Sequence, residues 1–297
     1  MIRRFFSIMI LAVIAACGEP TSPRDNEPIV IAHRGASFIS PEHTIPAYEF
    51  AIAQGADFIE QDIARTKDGV LVVIHDPTLD RTARGPVDDC TGAVSDKTIA
   101  QLRSCDFGSW FNEAYPQRAS PSFVGLRIQT LDEVIGRFIG RARFYIEIKN
   151  PERYPGIEQD LVTLIRAYPL YFAGGPRTPV FVQSFSAGSL ERMYAIDSAI
   201  PLIQLLGDEE LTDIPARLDA FRRYAMGIAP RANRVSQELL DYAGIKCLLV
   251  HPYGAVSDEE VQLLLRAKVD GLFTDRPDAL RASVRGHETS AAGEGSC

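Results

Sequence analysis

The sequence has no excess of positive charge. It contains 31 lysine and arginine residues against 39 aspartate and glutamate residues, and its formal net charge is −8 at pH 7. A protein that binds the phosphate backbone of a nucleic acid needs a basic face. The charge balance therefore argues against nucleic acid as the main partner. It leaves room for a small phosphate-bearing substrate held by one or two local cations.

Long hydrophobic runs are also scarce, and the one at the N-terminus is too short for a stop-transfer helix. The segment MIRRFFSIMILAVIAAC combines two arginines, an apolar stretch and small residues before Cys17. This order is typical of a signal peptide, which we expect over residues 1–16. The ending VIAAC resembles the lipobox of bacterial lipoproteins, which implies a lipid on Cys17.

These features predict an exported, periplasmic protein that is anchored to the bacterial envelope through Cys17. Residues 17–28 are rich in proline and glutamate and are expected to form a flexible tether. Two alternatives remain open. The protein could be secreted with an incidental cysteine, or the apolar segment could stay uncleaved as a membrane anchor.

Cysteine is sparse, with five in 297 residues. Cys90 and Cys105 flank one polar segment, and an exported protein can keep disulfides. A bridge between these two is the expected pairing, although the sequence alone does not determine it. Cys247 opens an apolar run and is interpreted as a buried small hydrophobic residue. Cys297 ends a segment, 286–297, that is expected to be a flexible tail.

The apolar runs that are present are short and alternate with helical patterns. Nine of them resemble buried strands, at 29–33, 57–63, 70–76, 143–149, 180–185, 201–207, 225–230, 247–253 and 270–275. Alternation of this kind predicts βα units and a parallel sheet, and continuous apolar strands indicate that both faces are covered. The predicted fold is an α/β (β/α)8 TIM barrel over residues 29–285.

A barrel of this type has eight strands, so one of the nine runs needs another place. The runs at 57–63 and 70–76 are separated by a segment with Lys67-Asp68-Gly69, which leaves no room for a helix. Asp-Gly between two strand-like runs signals a hairpin. We interpret 70–76 as the return arm of a β-hairpin at the barrel mouth. The polar residues from about 77 to 125 then form a small insertion over that mouth.

Polar residues recur at the ends of the predicted strands. They are His33 and Arg34, Glu60 and Asp62, His75, Glu147 and Lys149, Gln183 and Ser184, Gln204, and His251 and Tyr253. The carboxyl ends of barrel strands carry the active site in this architecture, and buried charge is costly unless it is paired or holds a metal. The functional site is therefore predicted at this rim.

Three carboxylates at this rim suggest a metal site. Glu60 and Asp62 are two residues apart on a strand, so they share a face, and Glu147 would join them if it points inward. Oxygen ligands favour one hard divalent cation, Ca²⁺ or Mg²⁺. The alternative is a structural ion network with nearby cations. These cations are Arg34, Arg65 and Lys149.

The remaining charged residues suit phosphoryl transfer. His33 and His75 could act as general base and general acid, each contributing a rate factor of roughly 10²–10⁴. Arg34 and Lys149 suit the oxygens of a phosphate group. Cations around an anion and histidines that move protons describe a phosphoryl-transfer site. Three further histidines are given no catalytic role. His43 and His251 are interpreted as structural hydrogen-bonding residues, and His287 lies in the tail.

An ordered series of motifs resembles the glycerophosphodiester phosphodiesterase family, most closely its periplasmic bacterial branch. The motifs are AHRGAS, PEHT, AIAQGADFIEQDI, TKDGVLVVIHDPTLDRT, GSWFNEAYP, IQTLDEV, YIEIK, VHPY and VDGLFTDRPD, which together span almost the whole mature chain. The resemblance implies a TIM barrel with a small insertion. It also implies hydrolysis of glycerophosphodiesters, such as glycerophosphocholine, to glycerol 3-phosphate and an alcohol.

The resemblance also implies roles for particular residues. The family's metal ligands fall on Glu60, Asp62 and Glu147, and its acid–base histidines fall on His33 and His75. Its phosphate-contacting cations fall on Arg34 and Lys149, and Glu42 matches a carboxylate near the substrate or the metal. The implied cofactor is one divalent cation, and the implied partner is a small glycerophosphodiester. The oligomeric state stays open.

Two other functions compete with this interpretation. Phospholipase D toxins and phosphatidylinositol-specific phospholipases C are related barrels that share a histidine pair and an acidic metal site. The intact TKDG, EIK and DGLFTDRPD motifs favour the glycerophosphodiesterase. A non-catalytic surface lipoprotein on the same scaffold is the second alternative. Such a binder should have lost some of the five proposed metal and acid–base residues, and all five are present.

Overall fold

The computed structural model of the chain describes residues 27–168, 179–207, 212–255 and 257–294. The predicted signal peptide, Cys17 and nearly all of the predicted tether lie outside these ranges, as does Cys297. No helix within these ranges combines the length and the apolar character that crossing a bilayer requires.

The described residues contain one nine-stranded sheet that forms a nearly closed barrel. The strands are β1 Ile29–Ala32, β2 Phe58–Arg65, β3 Leu71–Val73, β4 Arg143–Ile148, β5 Val180–Ser184, β6 Leu202–Leu205, β7 Gly227–Ala229, β8 Leu249–Val250 and β9 Gly271–Thr274. Eight of them pair in parallel in the order β8-β7-β6-β5-β4-β2-β1-β9. Backbone hydrogen bonds from Asp270 N to Val250 O (3.0 Å) and from Phe273 N to Pro252 O (3.1 Å) link the two ends. The predicted (β/α)8 barrel is confirmed.

The strand outside the parallel set, β3, is the return arm of a hairpin. β3 pairs antiparallel with the end of β2, with Ile63 opposite Val73 and Arg65 opposite Leu71. Gly69 has a φ of +85° at the turn, which favours glycine. The strand that follows the turn is three residues long, which is shorter than the predicted run.

Helices cover the outside of the barrel and build the insertion. They are α1 Ile45–Ala53, α2 Val87–Cys90, α3 Ile99–Leu102, α4 Ser109–Ala114, α5 Leu131–Phe138, α6 Ile157–Arg166, α7 Ala187–Ile196, α8 Ile214–Phe221, α9 Gln237–Ile245, α10 Asp258–Arg266 and α11 Pro277–Glu294. A capping box starts α5, because Thr130 Oγ1 accepts from Glu133 N and the Glu133 carboxylate accepts from Thr130 N. Since α11 runs to Glu294, most of the segment expected to be a flexible tail is helical.

Two cysteine expectations have different outcomes. Cys90 and Cys105 form a disulfide within the insertion, with their Cα atoms 5.6 Å apart. The interpretation of Cys247 as a buried hydrophobic residue is wrong. It is exposed and has a φ of +51° in the turn between α9 and β8.

Side chains alternate between the two faces of each strand, and this alternation places the site. The inward-facing apolar residues form one cluster inside the barrel. They are Ile31, Phe58, Tyr145, Phe181, Ile203, Leu205, Ala229 and Phe273. Residues two or four positions further along the same strands face the same interior, nearer the carboxyl ends. Glu60, Asp62, Glu147 and Gln183 therefore lie on the inner face, above an aromatic layer.

Candidate active site

Three buried carboxylates form the centre of the site. Glu60 and Asp62 on β2 are each 1 % exposed, and Glu147 on β4 is 5 % exposed. Asp62 and Glu147 are directly paired in the strand register. Lys149 Nζ lies 2.9 Å from Glu147 Oε1 and 3.5 Å from Asp62 Oδ1. The structure thus brings these three acidic residues to one place on the inner face.

The carboxylates perturb one another. Burial, together with Asp62 and Glu147, raises the pKa of Glu60 well above its usual range. Burial and Asp62 raise the pKa of Glu147 to about 8. Burial also favours the neutral form of Asp62, but nearby cationic groups, led by Lys149, outweigh it and hold the pKa of Asp62 well below its usual range. The centre therefore favours positive charge, supplied by protons or by a cation.

The donor set fits a hard divalent cation. Asp62 Oδ1 and Glu147 Oε1 are buried oxygens without a hydrogen bond, so their contacts with Lys149 are ion pairs that lack hydrogen-bond geometry. Carboxylate oxygens are the ligands that Ca²⁺ and Mg²⁺ prefer. The side chains of His43, Glu60 and Asp62 also form a candidate metal-binding triad, with their ligand atoms within 4.8 Å of one another. The structure therefore adds His43 to the acidic pair on β2.

His43 already has two hydrogen-bond partners. Its Nε2 atom lies 2.9 Å from Asp62 Oδ2, and its Nδ1 atom lies 3.0 Å from Tyr48 Oη. Burial lowers the pKa of His43, although Asp62 opposes the shift. Its structural interpretation is consistent with these contacts, which orient Asp62. The PEHT motif after β1 contains this histidine, but Asp62 lies 19 positions further along the chain, so no local sequence pattern connected the two residues.

A glycine allows the loop after β1 to turn back onto the carboxylates. Gly35 has a φ of +87°, and a Cβ atom there would lie 2.8 Å from Ala47. Arg34 has a φ of +59°, and its backbone N donates to Glu60 Oε2 at 2.7 Å. The His-Arg-Gly sequence at the end of β1 thus follows from a left-handed turn packed against α1.

Arg34 and Lys149 are the cations next to the acidic centre. Arg34 Nε lies 3.4 Å from Asp62 Oδ2, and its Nη1 atom lies 3.3 Å from Glu42. Burial lowers the pKa of both Arg34 and Lys149, but Asp62 and the other carboxylates outweigh it, so both pKa values are raised. Both groups stay positively charged at neutral pH.

Each of the two candidate acid–base histidines is held by a carboxylate. His33 Nδ1 lies 2.7 Å from Asp275 Oδ1, and Ser37 Oγ donates to the same oxygen at 2.8 Å. His75 Nδ1 lies 2.6 Å from Asp76 Oδ1. The Nε2 atom of each ring is without a partner among the described residues. Because a carboxylate accepts from Nδ1, the neutral ring presents Nε2 as an acceptor, and the protonated ring presents it as a donor.

An arginine of the insertion supports one of these carboxylates. Arg81 donates to Asp76 Oδ2 at 2.5 Å and makes two hydrogen bonds to Glu42, at 2.6 and 2.9 Å. Asp275, Asp76 and Arg81 were not among the site residues predicted from the sequence. The HD dipeptide and the TDRPD motif were the signals that could have found the two aspartates.

An open cavity adjoins the site on the His75 side. Its volume is about 330 Å³, and its lining includes His75, Glu147, Lys149, Ser184 and Phe185. His251 lies elsewhere, in the barrel interior, where its Nδ1 atom is 3.0 Å from Tyr145 Oη and burial lowers its pKa to about 3. The structural interpretation of His251 is therefore confirmed.

Comparison with known proteins gives consistent results. The model of the glycerophosphoryl diester phosphodiesterase family matches residues 33–279. A glycerophosphodiester phosphodiesterase of Bacillus subtilis (strain 168) is 40% identical over 283 residues, covering 95% of this chain and 94% of the relative. One of Caldanaerobacter subterraneus subsp. tengcongensis is 34% identical over 262 residues, covering 86% of this chain and 98% of the relative.

Solved structures share the fold. A crystal structure of a glycerophosphodiester phosphodiesterase from Agrobacterium tumefaciens str. C58 has a TM-score of 0.71 at 28% identity, covering 86% of this chain and 99% of that one. An Oleispira antarctica phosphodiesterase in complex with the product sn-glycerol-3-phosphate has a TM-score of 0.70 at 23% identity, covering 87% of this chain and 97% of that one.

Proposed function

This chain belongs to the glycerophosphoryl diester phosphodiesterase family, and from that membership we propose that it hydrolyses glycerophosphodiesters by His33/His75 acid–base catalysis beside one divalent cation. The proposed substrates include glycerophosphocholine, and the products are glycerol 3-phosphate and an alcohol. The observation that carries this proposal is the pair of histidines, each bound at Nδ1 by a carboxylate, next to a buried acidic centre.

The proposed cation ligands are Glu60, Asp62 and Glu147. Their oxygens suit Ca²⁺ or Mg²⁺, and Asp62 Oδ1 and Glu147 Oε1 lack hydrogen bonds. When bound, such a cation neutralises charge on the phosphate oxygens. His43 acts beside this set as a positioning residue, since its Nε2 atom holds the other Asp62 oxygen.

The phosphate group is bound by the side chains of Arg34 and Lys149. Both are cationic and lie against the acidic centre, where they can contact an anion that approaches from the mouth. A guanidinium group can make two parallel hydrogen bonds to phosphate oxygens, whereas an ammonium group acts as a point charge. Glu42 contacts Arg34 at 3.3 Å and orients its guanidinium group.

Two proton transfers complete the reaction. The Nε2 atom of one histidine accepts the proton of the attacking hydroxyl, either of water or of the neighbouring glycerol hydroxyl, as the new P–O bond forms. The Nε2 atom of the other donates a proton to the alcohol oxygen as the old P–O bond breaks. Attack by the glycerol hydroxyl gives a cyclic phosphodiester, which water then opens in a second step. Asp275 and Asp76 stabilise the protonated rings and fix their orientation.

The acid–base proposal is tested with His33→Ala and His75→Ala on glycerophosphocholine. We expect each variant to keep its fold and to lose a factor of about 10²–10⁴ in kcat. His287→Ala in α11 is a matched control, and its turnover should equal that of the wild type. Wild-type turnover by either folded active-site variant contradicts the mechanism. Release of glycerol 3-phosphate, compared across glycerophosphocholine, lysophospholipid and sphingomyelin, separates this activity from that of phospholipase-type barrels.

The cation proposal is tested with a chelator. EDTA should abolish activity, and Ca²⁺ or Mg²⁺ should restore it. Activity that does not respond to chelation removes the cation from the mechanism.

The location of the enzyme is a separate proposal, which the N-terminal sequence supports. We propose export and lipid attachment at Cys17, so that the barrel lies in the periplasm on a short tether. Mass analysis of the mature N-terminus tests this. A lipid-modified cysteine at position 17 is expected, and an unmodified or uncleaved N-terminus contradicts it.

A further inference from the structure

Three side chains form a row across neighbouring strands on the inner face of the barrel. Asp62 on β2 is paired in register with Glu147 on β4, and Glu147 is paired with Gln183 on β5. Each of the three has a buried oxygen without a hydrogen bond, namely Asp62 Oδ1, Glu147 Oε1 and Gln183 Oε1. Gln183 is 1 % exposed. Three acceptor oxygens that accept no hydrogen bond thus lie side by side at one level of the barrel.

An unpaired amide oxygen in such a place is unusual. The large majority of buried side-chain polar atoms have a hydrogen-bond partner, and leaving one unpaired costs about 1–3 kcal/mol. The next buried glutamine along the sheet, Gln204 on β6, shows the ordinary arrangement. Its amide N donates to backbone oxygens that include Leu205 O at 2.8 Å, and its Oε1 atom accepts from Tyr224 Oη at 2.8 Å.

The surroundings of the row attract positive charge. The Lys149 ammonium group lies against two of the three oxygens, those of Glu147 and Asp62. The other Asp62 oxygen, Oδ2, is already held by His43. The unpaired Oδ1 atom is therefore the Asp62 oxygen left for a cation, on the side of Asp62 that Lys149 contacts.

We propose that Gln183 coordinates the divalent cation through its amide oxygen Oε1, as a further, neutral ligand beside Asp62 and Glu147. The inference rests on the cation of the proposed function and names a ligand outside the acidic set. Glutamine carbonyl oxygens are common ligands of Ca²⁺, which takes 6–8 oxygens. A neutral ligand adds a bond to the cation without adding to the charge repulsion among the three carboxylates.

Two variants of Gln183 and one of Gln61 test the proposal. Gln183→Met removes the oxygen and keeps the length of the side chain, and Gln183→Glu keeps the shape and adds a charge. Gln61→Met is the matched control, because Gln61 is a fully buried glutamine on β2 that also has an unpaired Oε1. It lies between Glu60 and Asp62 and so faces the opposite side of the strand.

The measurement is the dissociation constant of Ca²⁺ and of Mg²⁺, obtained by titration calorimetry of the metal-free full chain. We expect Gln183→Met to raise it by about 10–100-fold, the range found when a metal's supporting residues are changed. Gln183→Glu should lower it, and Gln61→Met should leave it within about threefold of wild type. An unchanged constant in Gln183→Met, or an equal loss in Gln61→Met, overturns the proposal.

Further outcomes separate this inference from the proposed function. A wild-type chain that binds neither cation removes the metal site itself, and the inference with it. If wild type binds the cation and Gln183→Met binds it equally tightly, the metal site stands and only the inference about Gln183 is overturned. If Gln183→Met does not fold, an unchanged constant in Gln183→Glu is decisive against it. Weaker binding of glycerol 3-phosphate with unchanged cation affinity assigns Gln183 to the substrate and also overturns the proposal.

Discussion

The raised pKa of Glu147 makes the stability of the cation-free protein depend on pH. Burial and Asp62 move this pKa from its usual 4.5 to about 8. A carboxyl group that keeps its proton in the folded state binds more protons folded than unfolded, so its contribution to stability is largest at low pH. The contribution is fully present below about 4.5, falls as the pH rises, and is lost above about 8.

The size of the effect follows from the width of that interval. One pKa unit corresponds to about 1.4 kcal/mol. The interval is about three and a half units wide, so the limiting loss is about 5 kcal/mol, on the order of a third to all of a typical domain's stability. A bound divalent cation takes the place of the proton and should remove most of this dependence.

The assay compares wild type with Glu147→Gln, which keeps the side-chain shape and cannot ionise. Free energies of unfolding are measured with denaturant from pH 5 to pH 9 in EDTA. Relative to the variant, wild type should lose several kcal/mol of stability across this range, and added Ca²⁺ or Mg²⁺ should restore it. Titrating groups that do not interact with Glu147 are common to both proteins and cancel in the difference. Parallel curves for the two proteins in EDTA would refute the reasoning.

Contacts elsewhere give three further expectations. Asp76→Asn should lower kcat at least about tenfold and change KM less, because His75 loses the acceptor that fixes its Nδ1 proton. Equal kcat and KM in this variant and in wild type would show that the contact does not contribute to catalysis. Gly271→Ala should lower the free energy of unfolding, measured with denaturant, by about 1–3 kcal/mol, since its Cβ would lie 2.4 Å from Ile29 Cγ1. Cys90→Ser should lower the same free energy by about 3 kcal/mol, because the disulfide closes a loop of 15 residues. For either variant, a free energy of unfolding equal to that of wild type contradicts the expectation.

The fold was accessible from sequence because its signals are local. Alternating strand and helix patterns predicted the barrel, and Asp68-Gly69 predicted the hairpin that accounts for the ninth strand. The period-two spacing of Glu60 and Asp62 placed both on one face, as the structure shows. Such features depend on a few adjacent residues.

The rest of the site depends on contacts between distant parts of the chain. Asp275 contacts His33 across 242 positions, so no local pattern connects them. Gln183 stood out only as a polar strand end, and its unpaired oxygen became visible through the register of β4 and β5. Cys247 was misjudged because an apolar run adjoins it, whereas a left-handed turn exposes it to solvent.

Arg81 joins the loop that follows β1 to the segment that follows β3. One guanidinium group holds Glu42, 39 positions earlier, and also the aspartate that binds His75. Trp110, further along the insertion, packs against the same guanidinium group, with its ring centroid 5.3 Å from Arg81 Cζ. A change in the insertion that displaces Arg81 should therefore reach Asp76 and the orientation of the His75 ring.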